Sequence, residues 1–239
     1  MIRRGFKWSL ASMVLVGLVC NASAQQPAAG SASAQPAPAR PPAVKIPLFF
    51  SEEWKQPTTQ SDSHGAWPAT AEPPANPQLD LRLYGPSRDL IQLSGILKSD
   101  TNPLNLWTGH ATSPMAATLR DRDQFVDLTG RARIRWVTRT SGFHTVRPLI
   151  KLADGNWFVG DPGSGTPADF NESEVSISEL RWTKLDIDRV VTVGRFVPTP
   201  DLSKVDEVGF ADLLPGSGNG PGGWVNVSRI QVYGKPVKR

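Results

Sequence analysis

Hydrophobic and polar positions alternate most clearly at residues 127–161, where Arg131, Arg133, Arg135 and Arg139 interleave with Ala132, Ile134, Trp136 and Thr138. A period of two sends successive side chains to opposite faces of a sheet. Residues 131–140 are therefore expected to form a strand with one apolar face and one face of guanidinium groups. A second strand is expected at 144–153, with Val146, Pro148, Ile150 and Leu152 inward and Arg147 and Lys151 outward. Pairing of the two across Ser141-Gly142 joins Arg133, Arg135, Arg147 and Lys151 on one basic face. An Asp154-Gly155-Asn156 turn then leads to a short third strand at 157–160.

The same period recurs elsewhere. Leu79, Leu81 and Leu83 alternate with Asp80, Arg82 and Tyr84 before a Gly85-Pro86 turn. Further strands are expected at 46–54, 90–97, 105–110, 125–128, 175–182, 185–193, 205–212 and 225–233. Ser113-Pro114 has the chemistry of a helix start, Ser as N-cap and Pro at the first helical position, so a short helix is expected to run to Arg122. Residues 55–77 carry Pro57, Pro68, Pro73, Pro74 and Pro77, which deny a central strand or helix, and Trp67 is read as pinning that loop. No segment offers a long helical period, and no internal repeat is found. Short strands between Gly, Pro and Asn turns predict an all-β chain, an antiparallel β-sandwich or jelly roll, folding residues 46–239 as one domain.

Arg3, Arg4 and Lys7 precede an apolar run at 10–19, and Ala22-Ser23-Ala24 follows. This is the layout of a secretory signal peptide over residues 1–24, with export to the periplasm or the extracellular space. The apolar run is shorter than a membrane span, so no transmembrane segment is expected after cleavage. The alternatives are a retained anchor or acylation of Cys20, and bulky Val19 fits the second poorly. Residues 25–45 are Ala, Pro, Ser and Gln with little apolar surface, a disordered linker. Removing Arg3, Arg4 and Lys7 from 26 Lys plus Arg, against 22 Asp plus Glu, leaves a net charge of about +1. That charge does not suit a nucleic-acid partner. The only cysteine, Cys20, leaves with the peptide, so neither a disulfide nor a thiolate metal site is expected.

Asp127-Leu128-Thr129-Gly130, a strand, a turn and then residues 146–152 form one recognisable order. Near the end, residues 201–205 lead into Val208-Gly209-Phe210, a glycine-rich loop and Ile230-Gln231-Val232-Tyr233-Gly234. Together these resemble the galactose-binding-like jelly rolls and are similar to carbohydrate-binding modules of secreted bacterial proteins. The resemblance covers roughly residues 79–234, and residues 98–123 stand out from it as an insertion. It implies saccharide binding on a concave sheet face or at loop tips, with no cofactor beyond a structural calcium ion.

Arginine forks match carboxylate and sulfate oxygens, so the basic face suits an acidic sugar. The competing reading is a solvated face neutralised by Glu172, Glu174 and Glu179. An indole stacks on the C–H face of a pyranose while its N–H bonds to a hydroxyl. Trp136 falls on the apolar face and is assigned to the core, whereas Trp107, Trp157 and Trp224 adjoin Gly or Asn turns. Residues 215–224 contain a formal G-x-G-x-x-G at Gly218, Gly220 and Gly223, but a strand rather than a helix follows, which rejects nucleotide binding. Ser164 and Ser217 lack the nucleophile-elbow glycine, and His64, His110 and His144 lack zinc spacing. His144 with Asp161, or Asp127 with Asp161, are the acid/base pairs to look for in space.

The leading reading is a secreted, non-catalytic carbohydrate-binding protein for polysaccharide or oligosaccharide, with acidic polysaccharide as the suited class. Its ligand-binding candidates are Arg133, Arg135, Arg147, Lys151, Trp157, Trp107 and Trp224. The alternatives are a β-sandwich glycoside hydrolase or polysaccharide lyase, and a structural cell-envelope interaction protein.

Overall fold

A computed structural model describes residues 45–165, 168–215 and 222–239. The segment expected to be a signal peptide (1–24), that expected to be a linker as far as residue 44, and Gly218 and Gly220 of the glycine-rich loop lie outside them. Among the described residues the chain forms β1 (Leu48–Glu52), β2 (Trp67–Pro68), β3 (Leu79–Tyr84), β4 (Gln92–Ser94), β5 (Asn105–Trp107) and β6 (Met115–Asp121). There follow β7 (Gln124–Asp127), β8 (Arg133–Thr140), β9 (Thr145–Leu152), β10 (Trp157–Asp161), β11 (Ser164–Gly165) and β12 (Asn171–Ser176). The last five are β13 (Arg181–Asp186), β14 (Val191–Val197), β15 (Val205–Asp212), β16 (Val225–Tyr233) and β17 (Lys235–Lys238).

These strands build an antiparallel β-sandwich, the fold class the alternation predicted. One sheet has seven strands in the order β12-β8-β16-β5-β4-β2, with β1 also on β16. The other has ten, in the order β14-β13-β10-β9-β15-β6-β3, with β7, β11 and β17 attached. Ile134, Trp136, Val227, Ile230 and Val232 from the first sheet meet Val146, Ile150, Trp182, Val208 and Phe210 from the second in one core. Trp136 is fully buried there, as assigned.

Sequence neighbours are not always sheet neighbours. Strand β8 pairs with β12 and β16, whereas β9 pairs with β10, β11 and β15 in the opposite sheet. The hairpin expected across Ser141-Gly142 is therefore absent, and the chain crosses between sheets at that turn. Arg133 and Arg135 lie on one outer face of the sandwich, Arg147 and Lys151 on the other. The reason is physical: period two reveals which face of a strand is apolar, and says nothing about which strand lies beside it.

Three further expectations change. The helix expected from Ser113-Pro114 is strand β6, held between β15 and β3. Its residues Met115–Leu119 are buried on both faces, which erases the alternation that marks a half-exposed strand. The single strand expected at 175–182 is broken by a 3-10 turn, Ile177–Glu179, through which the chain passes from β12 in one sheet to β13 in the other. The stretch at 98–123 that stood out as an insertion contributes β5 and β6, one to each sheet.

Residues 55–77 form a loop apart from β2, and Glu52 ties that loop down. Its carboxylate, 1% exposed, accepts the N–H groups of Trp54, Ala75 and Asn76 at 2.8, 2.8 and 2.9 Å. Burial raises the pKa of this carboxyl, and the three N–H groups pull against that shift.

Candidate functional site

One row of side chains crosses the outer face of the seven-stranded sheet. Antiparallel register sets Arg139 of β8 beside Asn226 of β16, Asn226 beside Trp107 of β5, and Trp107 beside Gln92 of β4. Phe170, one residue before β12, closes the row, with the Arg139 guanidinium 4.9 Å from its ring centroid. Arg139 Nε donates to Asn226 Oδ1 at 3.2 Å, and Asn226 Nδ2 donates to Asn105 Oδ1 at 2.8 Å. Asn105 in turn donates to the Pro103 carbonyl at 2.8 Å. Asn105 and Asn226 are both buried, so this chain of amides fixes the guanidinium from below.

Above the row lies a cavity of about 430 Å³ lined by His64, Ile96, Trp107, His110, Arg139 and Asn226, among others. His110 packs edge-on to Trp107, ring centroids 4.7 Å apart. Gly109 makes room for the indole: a Cβ there would sit 2.2 Å from Trp107 Cζ2. His64 is held at the rim by Asp62, whose Oδ1 accepts the N–H groups of His64 at 2.8 Å and Ala66 at 2.9 Å. The N–H of Ala66, then that of His64, holds the Asp62 carboxyl below its usual range. A second cavity of about 370 Å³ shares Arg139 and is lined by Thr140, Ser141, Gly142, Ala168 and Trp224. Trp107 and Trp224, both half-buried, thus each line a cavity that Arg139 borders.

Ion pairing separates Arg139 from the other outer-face arginines. Arg133 and Arg135 share Glu174 at 3.0 and 2.9 Å, and Arg229 pairs with Glu172. The hydrogen bond from Glu174 raises the pKa of Arg135. Among the described residues no carboxylate reaches Arg139, whose contacts are Asn226 and Phe170. The register explains this. β12 places Glu174 opposite Arg135 and Glu172 opposite Val137, so the next outward position, beside Arg139, falls to Phe170.

The remaining candidates lie on the outer face of the ten-stranded sheet, apart from this row. Arg147 Nη1 donates to Asp161 at 2.6 Å, and Arg181 completes the clamp at 2.5 Å. Lys151 Nζ donates to Glu207 at 3.1 Å and sits 5.5 Å from the Trp157 centroid. Trp157 meets Tyr84 edge to face at 4.9 Å. Glu207 is fully buried and also accepts from Arg82 at 3.0 Å, Tyr84 at 2.7 Å and Thr118 at 2.6 Å. Burial, then the bond to Glu207, pushes the Tyr84 hydroxyl pKa well up.

Neither acid/base pair sought from the sequence forms. His144 Nδ1 meets Asp212 Oδ2 at 2.7 Å in the interior, Asp161 is held by the two arginines, and Asp127 accepts the Thr129 N–H at 2.8 Å. Among the described residues no three His, Cys, Asp or Glu side chains converge as a metal ion requires. Sequence reasoning passed over Arg139, Asn105, Asn226, Gly109, His64 and His110 as site residues. The usable signal was Arg139, in phase with Arg133 and Arg135 yet beyond the reach of the acids in Asn171-Glu172-Ser173-Glu174.

No protein-family model matches the chain, and no curated protein matches it. Among solved structures it is similar to the family 11 carbohydrate-binding module of the cellulosomal cellulase Lic26A-Cel5E of Clostridium thermocellum. That similarity has a TM-score of 0.39 at 13% identity over 81% of this chain and 96% of that one. It is also similar to the carbohydrate recognition domain of Emp47p, with a TM-score of 0.34 at 9% identity over 75% and 99% of the two chains. An exo-β-agarase gives 0.36 at 11% identity over 69% of this chain, which spans only 24% of the agarase. With every TM-score below 0.5, the sandwich assignment stands on the strand pairing itself.

Proposed function

We propose that this chain is an exported, non-catalytic protein that binds polysaccharide or oligosaccharide on the outer face of its seven-stranded sheet, with acidic polysaccharide as the ligand class. The observation that carries the reading is one open cavity combining the Trp107 indole with Arg139, Asn226, His64 and His110. A sugar presents an apolar C–H face and a rim of hydroxyls. An indole covers the first, while amide, imidazole and guanidinium groups bond to the second. Arg139, with no carboxylate partner among the described residues, supplies the attraction for an acidic sugar.

Affinity electrophoresis of the purified protein in gels cast with neutral and acidic polysaccharides tests this. Retardation in at least one gel is expected, and Trp107→Ala should lose about 2 kcal/mol, roughly 30-fold in affinity. A folded protein that migrates unretarded through every gel would sink the proposal.

The two imidazoles and the guanidinium around one cavity favour a second reading, a polysaccharide lyase. There Arg139 would neutralise a uronate carboxylate while an imidazole takes the C5 proton. The C5–H electrons form the C4–C5 double bond as the C4–O bond breaks, and the departing oxygen takes a proton. Unsaturated products absorbing in the ultraviolet would decide for the lyase; retention in the gel without them decides for the binder.

A further inference from the structure

The outer face of the seven-stranded sheet has four arginines on its two long strands, Arg133, Arg135, Arg139 and Arg229, and three carboxylates reach them: Glu53, Glu172 and Glu174. Glu174 serves Arg133 and Arg135, with Glu172 3.7 Å from Arg135 as well. Arg229 takes Glu172, with Glu53 at 3.7 Å. Those three arginines and three acids cancel, which leaves Arg139, among the described residues, as the surplus arginine of these two strands. The surplus sits at the wall shared by the Trp107 and Trp224 cavities.

We infer that the site selects a glycan bearing one isolated carboxylate or sulfate between neutral sugars, and selects against a continuous polyanion. The inference rests on the saccharide-binding reading and specifies its substrate. A chain spanning the two cavities meets two indoles and the one guanidinium that borders both. The Arg139 fork takes two oxygens of a single anion, pre-set by its Nε bond to Asn226 and its stack on Phe170. A second anion further along the sheet meets arginines whose forks are already taken by Glu172 and Glu174. A polyanion thus gains one contact and must desolvate its other anions with no other free cation on these two strands to receive them. Phe170 is central to this selection, since a carboxylate at that position would neutralise Arg139 as Glu174 neutralises Arg135.

The test is isothermal titration of the purified full chain with three oligosaccharides of matched length. One is a neutral glucan, one has a single uronate among neutral sugars, and one is a contiguous polyuronate. The singly charged glycan should bind about tenfold tighter than the neutral one and the polyuronate no tighter than the singly charged one. The affinity for the singly charged glycan should fall with salt at a slope near one released counterion. Arg139→Gln should reduce the preference to that of the neutral glycan, and Glu174→Gln should raise polyuronate affinity. Tightest binding to polyuronate, with a slope of several ions, overturns the inference. Equal affinity for neutral and singly charged glycans overturns it too, while leaving saccharide binding in place. No binding to any of the three removes both. The wild-type comparison needs no variant to fold.

Discussion

The two outer faces of this sandwich are built from similar sequence, strands with cations at every second position, and those cations are partnered differently. On the ten-stranded sheet most of the central cations share carboxylates. Glu207 takes Arg82 and Lys151, Asp206 takes Arg120 and Arg239, and Asp161 takes Arg147 and Arg181. A second apolar cluster of Leu149, Val159, Leu185, Val190 and Ala211 lies beside them and is covered by Tyr84, Trp157, Ile187 and Leu213. Trp157 packs on that cluster beside Tyr84 and Lys151. On the seven-stranded sheet, no carboxylate among the described residues reaches Arg139, which borders two open cavities. An arginine on a strand becomes a candidate for recognition where the neighbouring strand supplies no acid, whatever the number of arginines around it.

The comparison is most easily broken at Glu207. Replacing it with Gln removes a buried charge while Arg82, Tyr84, Thr118 and Lys151 still point at it. Arg82 is partly exposed, which softens the loss, so about 2–3 kcal/mol of stability should go. Urea unfolding would show it as a lower midpoint at unchanged slope. Affinity for glycan should be unchanged at urea-free, folded conditions, because no contact links Glu207 to the Arg139 row. A Glu207→Gln protein of wild-type stability would mean that this face is not the braced one.

The contrast was half legible beforehand. Alternation identified the outward residues of β8 and β9 and assigned Trp136 to the core, because one apolar face and one wet face leave a clear period. It failed on β6, where both faces are buried, and on the pairing of β8, which depends on which surfaces the rest of the chain covers. Trp107 and Trp224, singled out for the turns beside them, each line a cavity that Arg139 borders. Arg147, Lys151 and Trp157 did not join them, because the turn at Ser141-Gly142 changes sheets. His64 and His110 arrive from separate loops that only the β2–β4–β5 edge draws together. That closure involves pairing distant in sequence and leaves no local pattern.

A sharper probe of the open face is Gly109→Ala. The added Cβ would meet Trp107 Cζ2 at 2.2 Å and Cε2 at 2.3 Å, far inside van der Waals contact, so the indole must swing or the turn must give. Trp107 lies at the surface of its sheet, so the cost falls on the site more than on the core. Glycan affinity is expected to drop about five- to tenfold, near 1–1.4 kcal/mol, with the urea midpoint close to wild type. Near-ultraviolet circular dichroism would report the displaced indole directly. If affinity stayed put while that signal changed, stacking on Trp107 would not be how this face holds a sugar.

The smallest effect lies back on the ten-stranded face. Asp161 is held below the ordinary carboxyl value of 3.8, first by Arg147 and with Arg181 adding to it, while burial opposes them. A depressed folded-state value means that the carboxylate's contribution is fully present above the unfolded value and fades as pH falls through the folded one. The clamp is partly exposed, with Arg181 65% accessible, so its worth is about 0.5 kcal/mol. Asp161→Asn should thus be slightly less stable than wild type at pH 6, and the gap should close as the pH is taken below 3.8. Glycan affinity at pH 6 should be the same in both proteins, since Arg147 and Arg181 belong to the sheet that turns away from Arg139. A loss of affinity in Asp161→Asn with no loss of stability would place Arg147 in recognition after all, and the division of labour between the faces would have to be redrawn.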